Sequence, residues 1–124
     1  MFTIGTDGGT SIIDGNTNWK TFIVVEGAGV RFDAGDIFTC KNFIANGVVG
    51  NQITMDTDDG NTVDFFATVV NSGGDGKVHY VNAYDIVSWD GALITTVGGS
   101  IDAGCVNWAW VDAVSYYPMP CFKP

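Results

Sequence analysis

Leucine occurs once in this chain, at Leu93, and proline is confined to Pro118, Pro120 and Pro124. Val, Ile, Thr and Phe supply much of the apolar character instead, a bias suited to pleated surfaces, and an all-β fold is expected. Basic residues are scarce too: Lys and Arg number 5 against 14 Asp and Glu, for a net charge of −9. That balance argues against nucleic acid or anionic lipid as a partner, since both call for a positive field. It suits solubility or a basic partner surface. No stretch approaches the roughly 20 apolar residues of a spanning helix, so no membrane insertion is expected. The amino end, Met1-Phe2-Thr3-Ile4 followed closely by Asp7, has neither the basic region nor the apolar core of a secretory signal. Either the protein is made without a cleaved signal or a longer precursor has been trimmed.

What is present fits one folded domain. The 124 residues are 46% hydrophobic and only 15% charged, which argues against disorder over most of the length. Cys40, Cys105 and Cys121 make an odd count. One disulfide with a free thiol, an intermolecular bridge and three reduced cysteines all remain open. No C-x-x-C pair supports a zinc site, and neither a metal nor a cofactor is expected.

The two ends of the chain echo each other. Ser11-Ile12-Ile13-Asp14-Gly15-Asn16-Thr17-Asn18-Trp19 returns as Ser100-Ile101-Asp102-Ala103-Gly104-Cys105-Val106-Asn107-Trp108, each copy after a glycine pair. Between them lie short strand candidates: Thr21–Val25, Val30–Phe32, Ile37–Cys40, Asn42–Ala45, Gln52–Met55, Thr62–Val70, Val78–Val81, Asp85–Ser88 and Ala92–Val97. Gly, Asn and Asp punctuate them, most strongly at Asn71-Ser72-Gly73-Gly74-Asp75-Gly76. Turns leading into Val30, Gln52 and Val78 mark units of about 22 and 26 residues, the scale of a stacked repeat. The expected fold is a short right-handed parallel β-helix with an extended aromatic carboxyl-terminal arm. A β-sandwich or jelly roll is the alternative.

Candidate chemistry is thin. Asp56-Thr57-Asp58-Asp59-Gly60-Asn61 invites a calcium reading, but Gly60 falls fifth rather than sixth in an EF-hand count and Ala67 stands where a bidentate Glu belongs. A solvated acidic turn is expected there. Asp33 with Asp36, or Asp85 with Asp90, would support glycosidase chemistry only at carboxylate separations of about 5 Å or about 6.5–9.5 Å in a sugar cleft. His79, the single histidine, has no triad motif beside it, and a surface or structural role is expected. The Gly8-Gly9 and Gly27-x-Gly29 segments lack the GK[ST] of a phosphate loop. Trp19 and Trp108 read as repeated cap packing, Trp89 as a possible ligand platform, and Trp110 as an interface anchor beside Tyr116, Tyr117 and Phe122.

The central run with Phe32, Phe38, Phe43, Asn46-Gly47, Gly50-Asn51, Ile53 and Met55 resembles repeats of bacterial and phage surface proteins. Val78–Val81, Asp85, Gly91, Ile94 and Asp102-Ala103-Gly104…Asn107-Trp108 continue the pattern, so the resemblance covers roughly residues 20–108. It implies a parallel β-helix serving as an extracellular scaffold, adhesin or virion part. Residues 1–19 are then expected to form a polar cap or arm, 20–108 the β-helical domain, and 109–124 an extended docking arm. The prolines of that arm disfavour a regular helix or central strand.

The expected function is accordingly non-enzymatic: a virion structural protein, a phage capsid decoration or cement protein at the virion surface. Its expected partners are further copies of itself, with a trimer as the working state, and a major capsid protein. The alternative is an extracellular or cell-surface adhesion or carbohydrate-binding module with a glycan partner.

Overall fold

The computed structural model describes residues 2–4, 10–13, 15, 17–58, 60–70 and 75–112. Its elements, all strands, are β1 (Phe2–Ile4), β2 (Thr10–Ile13), β3 (Thr17–Val25), β4 (Gly29–Phe32), β5 (Ile37–Asn46), β6 (Ile53–Thr57), β7 (Val63–Val70), β8 (Val78–Ala83), β9 (Ile86–Val87), β10 (Ile94–Ile101) and β11 (Trp108–Val111). The fold is all-β with a mostly parallel sheet. Every pairing between these strands is parallel, and the antiparallel contact among the described residues is the isolated bridge Val48↔Asn51.

The registers resolve into three ladders. The first runs Thr17↔Phe38↔Phe65 and Trp19↔Cys40↔Ala67, then Asp64↔Val87↔Val106. A second runs Phe2↔Phe22↔Phe43↔Val70 and, beside it, Asn46↔His79↔Val97↔Val111. The third runs Thr10↔Gly29↔Thr54↔Asn82↔Ser100. A parallel pair needs a connection of a dozen or more residues. No helix supplies it among the described residues; the chain reaches its next partner by passing through the other ladders.

Alternation then sends one set of side chains into a shared core, as in β6, where Ile53, Met55 and Thr57 are buried while Thr54 is exposed. Phe22 from the second ladder, Phe32 from the third and Phe38 and Phe65 from the first meet there. Phe22 and Phe43 are register partners, so their rings stack with centroids 5.8 Å apart and planes 12° apart. Burying each ring contributes about 1.5–3 kcal/mol, and each well-placed ring pair about 0.5–1.5 kcal/mol more.

Polar side chains stitch successive strands on the outside. Asn82 Nδ2 donates to Gln52 Oε1 at 2.7 Å and Ser100 Oγ to Asn82 Oδ1 at 3.0 Å. At one corner, aspartates accept backbone N–H groups from a neighbouring turn of chain: Asp36 from Gly15 at 2.7 Å, Asp58 from Ala34 at 3.3 Å, and Asp102 from Asp85 at 3.2 Å.

Three sequence expectations need correcting. Val30 pairs with Met55, and Met55 with Ala83, so the repeat does not step from Val30 to Gln52 to Val78. The turns vary in length, and inward burial rather than turn position sets the register. The terminal echo is offset as well. β2 and β10 lie at opposite ends of the third ladder, but Ser100 occupies the place of Thr10, not of Ser11. Finally, Gly98-Gly99 does not end a strand, because β10 runs through it. There β10 passes from the second ladder to the third with φ of 76° and 78°. A Cβ on Gly98 would lie 2.7 Å from the Tyr80 ring, and one on Gly99 would enter the Val81 backbone. Only glycine fits. β1 and β2 precede residue 20, and β11 spans Trp108–Val111.

Candidate functional site

On the outer side of the first ladder lies a pocket of about 390 Å³, lined by Thr39, Phe66, Ala67, Thr68, Asp90, Gly91 and Ala92. Its volume falls within the range of small-molecule sites, about 300–1,000 Å³. The floor follows from register and alternation. Cys40 and Ala67 are paired and point inward, so Thr39 and Phe66, themselves paired, point outward. The wall is the loop between β9 and β10, which carries Trp89, 67% exposed, and Leu93, 53% exposed.

That loop is fixed from beneath. Asn107 Nδ2 donates to the carbonyls of Ser88 at 2.9 Å and Gly91 at 3.2 Å, and Ser88 Oγ donates to Ala92 O at 3.3 Å. The Ala92 amide donates to Ala67 O at 2.8 Å, which ties the loop to β7. Asn107 takes a left-handed backbone, φ 64°, a region asparagine tolerates better than most residues. Gly91 lets the loop lie flat, since a Cβ there would sit 2.9 Å from the Ala67 nitrogen. The exposed indole thus projects from a loop whose backbone is tied to the sheet.

The lining offers the Phe66 ring, the hydroxyls of Thr39 and Thr68, and the Asp90 carboxylate as an acceptor, and the exposed Trp89 precedes Asp90 in the loop. Trp89 and Asp90 were visible in the sequence as isolated candidates. Phe66, Thr39, Thr68, Ser88 and Asn107 were not, because they come together from four separated segments. The legible signal was Trp89-Asp90-Gly91, an aromatic and an acid followed by the glycine of a tight loop.

The other candidates take different places. Trp110 is 52% exposed on β11, and its Nε1 donates to Gly99 O at 3.0 Å, covering the edge of β10. Tyr116, Tyr117 and Phe122, like Cys121, lie outside the described residues. Trp19 and Trp108 both pack half-buried against the core, and the Trp108 Nε1 is buried with no acceptor. His79 is held between Asn46 Oδ1, 2.9 Å from Nδ1, and Asp75 Oδ2, 2.8 Å from Nε2.

The carboxylates divide by location. Asp33 and Asp36 close one turn, where the Asp36 amide donates to Asp33 O at 3.3 Å. Asp85 belongs to the aspartate corner, with φ 59°, whereas Asp90 lines the pocket. Burial, then the charges of Asp102 and Asp56, hold the Asp85 carboxyl above the ordinary carboxylate range. In the acidic turn, Asp56 accepts the Thr57 amide at 2.7 Å and Asp58 the Ala34 amide. Cys40 and Cys105 are free thiols. Burial pushes the Cys40 thiol up to about 12 and Cys105 up to about 11, so neither is an activated nucleophile.

No family model, curated protein or solved structure matches this chain.

Proposed function

We propose that the chain is a short right-handed parallel β-helix serving as a non-enzymatic structural module of a larger assembly. The parallel registers and the shared phenylalanine core support the β-helix over a sandwich or jelly roll, which are built from antiparallel ladders. The observation that carries the assembly reading is the last strand. β11 pairs with β10 alone, and its outer edge has no strand partner among the described residues. An unpaired edge invites further pairing or covering. The half-exposed Trp110 stands on that strand. Its concrete form is a virion decoration or cement protein, as the repeat resemblance implies, with three copies meeting about an axis and a capsid protein beneath.

Light scattering on the full chain and on its Trp110→Lys variant, which changes an exposed side chain of β11 and leaves the phenylalanine core alone, tests this reading. An oligomer that the substitution converts to a folded monomer is expected. Monomers in both preparations, or an oligomer that the substitution leaves intact, would overturn assembly through this strand. The pocket favours a second reading, an extracellular carbohydrate-binding module, because an outward Phe66 ring beside hydroxyls and a carboxylate suits a sugar ring, and the exposed Trp89 adjoins the lining residue Asp90 in the same loop.

A further inference from the structure

The basic residues are unevenly placed around this pocket. Lys41 follows Cys40, the partner of Ala67, and precedes Asn42, the partner of Val69; it therefore lies across from the pocket residue Thr68. By the same logic Lys20 lies across from Lys41, between the pairs Trp19↔Cys40 and Thr21↔Asn42. Both lysines are exposed. The chain has only 5 Lys and Arg in all. Arg31 stands across from Asp56, and Lys77 Nζ donates to Asp75 O at 3.3 Å. Lys20 and Lys41 make no ion pair among the described residues. Like charges directly opposite each other on neighbouring strands are destabilising. In a chain of net charge −9, two adjacent cations at the rim of an aromatic pocket point to an anionic group on the ligand.

We propose that this pocket binds an acidic oligosaccharide, one pyranose lying on Phe66 between Thr39 and Thr68, and a sugar carboxylate lying on Lys41 and Lys20. The proposal rests on the carbohydrate-binding reading and adds the ligand's charge. Asp90 stands on the opposite wall, where it accepts sugar hydroxyls and disfavours a carboxylate on that side. The two ends of the pocket thereby orient the sugar. A purely apolar or neutral ligand gives the lysine pair no role.

The test is calorimetric titration of the full chain at low salt with oligogalacturonate, hyaluronan oligosaccharide and sialyllactose, each beside its carboxyl methyl ester. At least one acid form should bind about tenfold tighter than its ester, the worth of one charge-assisted hydrogen bond. That advantage should shrink as salt screens the exposed lysines. The Lys20→Gln, Lys41→Gln double variant should bind the acid no better than the ester, with ester binding unchanged. Phe66→Ala should lose both. Equal binding of acid and ester, unmoved by the lysine variant, overturns the acidic preference while leaving carbohydrate binding in place. No saccharide bound in any form overturns both. Polyglutamate binding as tightly as the best saccharide, and equally dependent on the lysines, assigns the site to an acidic peptide and overturns the proposal.

Discussion

Two sets of aromatic rings behave in opposite ways in this protein. Phe22, Phe32, Phe38, Phe43 and Phe65 are almost wholly buried, and their neighbours are one another. Trp89 keeps two thirds of its surface in water, and its loop is held by hydrogen bonds from Asn107 and Ser88 rather than by burial. The phenylalanines derive their worth from leaving water. The tryptophan contributes little to folding by the same measure, and its exposure is maintained by a polar support beneath it. That contrast separates what holds the ladders together from what the surface offers a ligand.

The contrast can be broken most sharply in the core. Phe32→Ala removes a ring that touches Phe22, Phe38 and Phe65, and should cost about 3–5 kcal/mol in denaturant unfolding. An effect under about 1 kcal/mol would mean that the three ladders do not share one core. Asn107→Ala should cost less, about 1–3 kcal/mol, since it leaves two carbonyls without their donor and puts alanine in a left-handed backbone. Its specific mark should be faster hydrogen exchange at the Ala92 amide, with the phenylalanine core unaltered.

A smaller change of opposite sign is expected at the aspartate corner. Because the Asp85 carboxyl titrates above the ordinary range, the folded chain holds its proton more tightly than the unfolded chain does. Its contribution to stability is fully present below the ordinary carboxylate pKa and is lost as pH rises through the folded value. Asp85→Asn keeps a residue suited to φ 59° and removes repulsion from Asp102 and Asp56. It should raise stability slightly at neutral pH, an effect that solvent screening of this largely exposed carboxyl keeps small, and flatten this part of the pH–stability curve. Thermal melts across the acid range would check both. Smallest of all, Trp89→Ala should change stability by no more than about 0.5 kcal/mol, as for an exposed site. A larger loss would make Trp89 part of the fold instead of its surface.

Much of the fold could be read from residue types. The Phe, Ile and Val spacing that marks β4, β5 and β6 already alternates in the sequence, and Gly27, Asp33–Asp36 and Asp58–Gly60 already read as breaks. A stronger clue lies in the turns. Asp33-Ala34-Gly35, Asp58-Asp59-Gly60 and Asp102-Ala103-Gly104 place an aspartate and then a glycine after three strands of one ladder, β4, β6 and β10. Each of the aspartates Asp58 and Asp102 proves to accept an amide from an adjacent turn. The acidic run that suggested a cation loop is thus partly a backbone-bonding corner. The site was far less legible. Asp90 could be suspected, but Asn107, which supports its loop, and Phe66, which lines the pocket with it, are remote in sequence.

The sequence by itself determined the β character, the acidic surface and the places where the chain must turn, because these follow from side-chain shape, charge and glycine freedom residue by residue. Tertiary structure alone decided that Val30 meets Met55, that Thr39 and Phe66 share a floor, and that Lys20 and Lys41 stand side by side. Register is a property of whole strands. It is set by which faces can be buried together, and no local stretch of residues carries that information.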